Sequence, residues 1–184
     1  MTNYIEAKPS NKINSLLLFC IINLSEIKFP KDFLELILKI INNSKIYIFE
    51  KDITYIEQYI FYGCKSLINL TISDSVNELG NGSFCGCKNL TSVIIPDSVT
   101  IIETGAFAYC ESLTDVIIPN SVTGLGENIF YQCKNLTNVS IPNSITYIGE
   151  NAFYNCEKLD SVIIPNKKAV IEKNSFPKHI KVFK

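Results

Sequence analysis

The sequence predicts a solenoid of 23-residue coils whose short strands stack in parallel. Three observations predict it. Cys64, Cys87, Cys110, Cys133 and Cys156 recur at one fixed interval, and the phenylalanines from Phe61 to Phe176 keep the same period. A leucine follows three positions after each of these cysteines, from Leu67 to Leu159. A fixed period of about 20–29 residues marks an array in which no unit buries its apolar face alone and stacked neighbours do so together. The register reads as uninterrupted from about residue 41 to residue 176.

Each column has a physical role. Leu70, Val93, Val116, Val139 and Val162 stand two positions before Ile72, Ile95, Ile118, Ile141 and Ile164. Residues two apart on a strand point to the same side, and branched side chains suit a half-buried pleated surface. Pro96, Pro119, Pro142 and Pro165 follow, with Ser73 in the first copy. Proline has no N–H for a ladder and ends the strand. Asp or Asn comes next and suits a turn. A second apolar pair follows, Val76 with Leu79 in the first copy and Ile145 with Ile148 in the fourth; Lys168 breaks this pattern in the last. Gly80, Gly126 and Gly149 read as a tight corner, with Glu103 and Glu172 departing from it. At about 4.8 Å per strand, five to six coils make a rod roughly 25 Å long.

The stretch LTSVIIPDSVTIIETGAFAYC (90–110), with VIIPNSVTGLGENIFYQC (116–133) and VSIPNSITYIGENAFYNC (139–156), resembles the BspA-like, or Treponema pallidum-type, leucine-rich repeat. The resemblance spans about residues 50–178. It implies a leucine-rich-repeat solenoid with a parallel sheet on its concave face and, by association, surface adhesion or protein binding.

Three segments are expected: a cap at 1–40, the solenoid at 41–178 and a closing strand at 179–184. Within FPKDFLELILKIINN (29–43), Phe33, Ile37, Ile40 and Ile41 lie at helical spacing behind Pro30, so an N-terminal helical cap is expected over the raw apolar end of the first coil. At the other end, Lys178, Lys181 and Lys184 discourage a second chain from pairing on the edge of PKHIKVFK.

The 184 residues are 47% hydrophobic, with mean hydropathy +0.18, too apolar for a disordered chain. Seventeen lysines against 18 carboxylates give a net charge of −1, which counts against nucleic acid or an anionic membrane as the main partner. No apolar run approaches the ~18–20 residues of a membrane span. The longest, Leu16–Ile22, sits at the short limit for a signal-peptide core and lacks a small-residue cleavage site after it.

The five periodic cysteines point the same way in successive coils, a poor arrangement for disulfides, and read as small buried thiols beside phenylalanine. Cys85 lies outside that ladder, in the column of Tyr62, Tyr131 and Tyr154, and is the candidate redox-active thiol. The pair Cys85-Gly-Cys87 has no second pair for zinc, and the one histidine, His179, leaves no material for a nucleophile–base pairing. Glu127 and Glu150 read as solvated corner residues. No catalytic residue, cofactor or metal is expected.

The expected binding face lies between the buried strand positions. Its central row is Thr71, Ile94, Ile117, Ser140 and Ile163, bordered by Asn69, Ser92, Asp115, Asn138 and Ser161. Three isoleucines in a polar border make an apolar stripe suited to a protein partner. Asn-x-Ser/Thr acceptors fall at Asn69 and Asn138 on this face, among seven in the chain. The expectation is a non-catalytic interaction module, adhesin-like or surface-antigen-like. The alternative is an intracellular scaffold, or a repeat protein that self-associates at the ends of its solenoid. Surface and cytoplasm both stay open.

Overall fold

The computed structural model describes residues 46–47, 53–65 and 67–184. The expected helix at 29–43 lies outside the described residues. Each coil contributes one strand to a first sheet and a shorter one to a second. The first-sheet strands are β1 (Ile46–Tyr47), β3 (Asn69–Thr71), β5 (Ser92–Ile94), β7 (Asp115–Ile117), β9 (Asn138–Ser140), β11 (Ser161–Ile163) and β13 (Lys181–Phe183). The second-sheet strands are β2 (Tyr55–Ile56), β4 (Glu78–Leu79), β6 (Ile101–Ile102), β8 (Gly124–Leu125), β10 (Tyr147–Ile148) and β12 (Val170–Ile171).

All pairing is parallel. β1, β3, β5, β7 and β9 form one ladder and β11 pairs with β13 beside β9. The shorter strands form β2–β4–β6 and β8–β10–β12. Most steps keep the period of the sequence, as in Leu70 opposite Val93 and Tyr55 opposite Glu78. Both ends depart from the period, the first within the span expected to be unbroken and the last beyond it. Ile46, not Tyr47, stands opposite Leu70, one position more than the period. Val182 stands opposite Val162, three positions fewer.

The third side of the coil is a turn laddered to its neighbours by the main chain. Phe61 N–H donates to the Ser83 carbonyl at 2.8 Å, Phe84 to Ala106 at 2.9 Å and Phe130 to Ala152 at 2.8 Å. Two positions per coil are left-handed and recur with the repeat. One runs through Tyr59, Gly82, Gly105, Asn128, Asn151 and Asn174; the other through Gly63, Gly86, Tyr109, Gln132 and Asn155. Gly80, Gly126 and Gly149, expected at a tight corner, are not among them. What Gly149 provides is close approach between coils, since a Cβ there would lie 2.7 Å from the Glu127 nitrogen.

The core follows the columns. Phe84, Phe107, Phe130, Phe153 and the leucines from Leu90 to Leu159 are fully buried. The phenylalanine rings from Phe61 to Phe176 form a continuous stack, with successive centroids 5.0–5.8 Å apart. Identical side chains one coil apart thus become one another's packing partners. Most coils also repeat a polar contact. Hydroxyls of Ser98 and Ser144 donate to the carbonyls of Val76 and Val122 at 2.6 and 2.7 Å, and Ser121 does the same to Val99. In the last coil Asn166 reaches the Ile145 carbonyl instead, at 2.9 Å, and Ala169 takes the buried slot while Lys168 stays exposed.

This packing makes two substitutions informative. Phe107→Ala removes the middle of the stack and is expected to destabilise by about 3–5 kcal/mol in denaturant unfolding. Ser83 is fully buried and its Oγ has no hydrogen-bond partner. Ser83→Ala is therefore expected to be neutral or stabilising by ~1 kcal/mol, since it removes an unsatisfied hydroxyl.

Candidate functional site

The exposed face of the first sheet carries the candidate site. Alternation along each strand sets it: in β5, β7 and β11 the central valine is buried while both neighbours are exposed. Ile94, Ile117 and Ile163 are 62%, 70% and 66% exposed, large values for isoleucine in a strand. Register brings Thr71 beside Ile94 and Ile117 beside Ser140. Thr71 is half-buried and Ser140 is exposed.

The polar border is laced by hydrogen bonds. Ser92 Oγ donates to Asn69 Oδ1 at 2.8 Å and Asn138 Nδ2 to Asp115 Oδ1 at 2.6 Å. Hydrogen bonds from Thr114 and then Asn138 hold the Asp115 carboxyl below its usual range. Behind the border, the Thr137 hydroxyl donates to the threonine carbonyl one coil earlier, at 3.1 Å. Such bonds restrict the border side chains, so less freedom is lost when a partner docks. Ser161 is exposed at the end of the row.

Phe183 belongs to this face, and sequence periodicity does not reveal it. The shortened last step places it opposite Ile163, and it is 53% exposed. A fixed count passes over it. The one signal is the apolar Val182-Phe183 pair in the closing segment.

The cysteines divide as their columns imply. Cys87, Cys110, Cys133 and Cys156 are fully buried free thiols. Each donates to the carbonyl of a phenylalanine in the preceding coil, at 3.1–3.3 Å. Burial pushes the first three well above the ordinary thiol range and Cys156 up to about 12. The thiolate is the nucleophile, so these groups are chemically quiet. Cys85 is half-buried, and that burial alone raises its pKa, lowering its thiolate fraction. Outside it, Tyr109 and Tyr154 are exposed and Tyr131 half-buried, with Tyr131 and Tyr154 stacked at 5.5 Å.

Among the described residues no group of three or more His, Cys, Asp or Glu is placed to hold a metal, and no helix is long and apolar enough to cross a membrane. The surface salt bridges Lys88–Glu111, at 2.8 Å, and Lys173–Glu150, at 3.7 Å, are largely solvated and contribute little.

Comparisons agree with this architecture. The family described as "BspA type Leucine rich repeat region" matches in six copies, over residues 4–114 and 54–182. A Treponema pallidum leucine-rich-repeat protein is 30% identical over 71% of this chain and 67% of its own, with a TM-score of 0.60. A leucine-rich cell surface protein of Faecalibacterium prausnitzii is 34% identical over 72% of this chain, with a TM-score of 0.63. The pneumococcal vaccine antigen PcpA, 21% identical over 72% of this chain with a TM-score of 0.64, shares the fold. This chain spans only 37% and 34% of those last two proteins. A search of the curated proteins found no match.

The buried thiols give a prediction with a definite sign. Their folded pKa values lie above the unfolded value of about 8.5 in an acid that is neutral when protonated. Above that pH the unfolded chain releases protons that the folded chain keeps, so stability is full below ~8.5 and falls as pH rises towards Cys156 at about 12. Native alkylation at about pH 9 followed by mass spectrometry should leave Cys110 and Cys133 unmodified while Cys85 reacts. Equal labelling of all three would contradict their burial.

Proposed function

This chain belongs to the BspA-type leucine-rich-repeat proteins, and from that premise we propose that it is a non-catalytic module binding a protein partner on the exposed face of its first sheet. Leucine-rich-repeat proteins of this kind are typically interaction scaffolds, generally without catalytic activity. The observation that carries the proposal is the row Ile94, Ile117 and Ile163, extended by Phe183: apolar, in register and exposed. A solvated sheet face ordinarily alternates to polar residues on its outer side. Apolar side chains held there instead, in a polar border, have the form of an interface core and rim. Thr71 and Ser140 complete the central row, and Asn69, Ser92, Asp115, Asn138 and Ser161 form the rim.

The setting we favour is a cell surface, with the chain acting in an adhesin-like or surface-antigen-like way. The support is its likeness to the Faecalibacterium cell surface protein, at 34% identity.

The test is comparative capture from an extract of the source cell's surroundings. The wild-type chain is expected to retain one or more proteins that Ile94→Lys/Ile117→Lys does not, a loss of roughly 100-fold or more if the pair is a hot spot. Both positions face solvent, so the variant is expected to keep its unfolding midpoint. Identical captured proteins at identical yield would overturn the assignment of this face.

A further inference from the structure

On the exposed face of the first sheet each coil offers one central side chain, and from β5 to β13 these are Ile94, Ile117, Ser140, Ile163 and Phe183. Parallel strands stand about 4.8 Å apart, so the four steps from Ile94 to Phe183 span roughly 19 Å. The row reads apolar, apolar, polar, apolar, apolar.

Two regular shapes can lie along such a row. An extended strand repeats one face about every 6.8 Å, so it falls out of step with the coils by ~2 Å at each contact. It also pairs through main-chain groups that lie in the plane of a sheet, which an edge offers and a face does not. An α-helix returns one face about every 5.4 Å, so its mismatch is ~0.6 Å per coil and ~2.4 Å over the whole row. Side-chain rotation absorbs that. Helical anchors at i, i+4, i+7, i+11 and i+14 then meet one coil each, and the anchor at i+7 meets Ser140.

Charge gives the direction. In the turn that borders the row on its proline side stand Asp74 and Asp97 after β3 and β5, Asn120 and Asn143 after β7 and β9, and Lys167 and Lys168 after β11; all six are exposed. On the opposite border Asp115 carries a carboxyl held low by its hydrogen bonds, and Lys181 stands opposite Ser161 at the far end. Asp160 is the exception at the lysine end. Farther out the signs alternate, as in Lys88 beside Glu111 and Glu157 beside Lys158, and set no direction. A helix carries about half a positive charge at its N-terminus and half a negative charge at its C-terminus. Its N-terminus therefore suits the aspartate end and its C-terminus the lysine end.

We propose that the partner presents an amphipathic α-helix of about 14 residues or more, laid across β5, β7, β9, β11 and β13 with its N-terminus at the aspartate end and a small or polar residue over Ser140. The inference rests on the partner-binding reading above and names the form of protein that fits it.

The experiment replaces Ile94, Ile117 and Ile163, one at a time in the full chain, with photoreactive benzoylphenylalanine, and maps the cross-linked residues of the captured protein. All three positions are expected to mark one segment, in the order Ile94, Ile117, Ile163 from its N-terminal side. The first two marks should lie about 3–4 residues apart and the first and last about 10–11. A separation of about four residues between first and last would be that of a strand and would overturn the helix. Marks scattered over several segments would do the same, and a reversed order would overturn the direction. No cross-linked protein at any of the three positions would overturn the partner-binding reading itself, whereas a protein marked at another spacing overturns the helix alone. Lys167→Glu/Lys168→Glu/Lys181→Glu is expected to weaken capture about 2–5-fold with the same residues marked. Unchanged capture by that variant would overturn the direction.

Discussion

Everything in this molecule depends on coils stacking in register at the spacing of a parallel strand pair. That single constraint makes each residue's equivalent one coil away its nearest packing partner. Phe61 stacks on Phe84 with rings nearly parallel, at 2° between planes, because the main chains beneath them are already fixed by the turn ladder. The thiol of Cys110 reaches the Phe84 carbonyl for the same reason. A residue is retained here because it suits both its own coil and its copy above and below. The cysteine column illustrates this: a thiol is small enough for the slot, apolar enough for burial, and can give one weak hydrogen bond to a carbonyl of the preceding coil.

The same constraint turns strand alternation into surfaces. With the central valine of β5 and β7 committed to the core, their outer positions must line up across strands, whatever their chemistry. Isoleucine at those positions therefore lines up as an apolar row instead of scattered exposed residues. Serine in β9 interrupts it, so Ser140 separates Ile94 and Ile117 from Ile163 and Phe183. A partner must accommodate that break, which gives the face a basis for selectivity.

Much of this was legible in the sequence because periodicity reports packing directly. The Phe, Cys, Leu, Val and Ile columns supply most of the buried residues, and counting in twos places Ile94, Ile117 and Ile163 on the exposed face. What escaped has physical causes. The left-handed positions accept Tyr59, Tyr109 and Gln132 as well as glycine and asparagine, so no residue type marks them. Gly149 looks like such a position but serves close approach between main chains. The serine of PDSV, PNSV and PNSI gives no sign that it bonds a carbonyl of the coil before. A lengthened first step and a shortened last one defeat a fixed count, which hides Phe183.

The measurement that tests the central claim most directly is hydroxyl-radical footprinting of the full chain, alone and with its isolated partner. In the free chain Ile94, Ile117 and Ile163 should oxidise readily while Phe84, Phe107 and Phe130 stay silent, because one set faces solvent and the other fills the stack. In the complex the three isoleucines should lose their label and Tyr154, on the turn side, should keep it. Labelled phenylalanines in the free chain, or isoleucines that oxidise equally with and without the partner, would contradict the account.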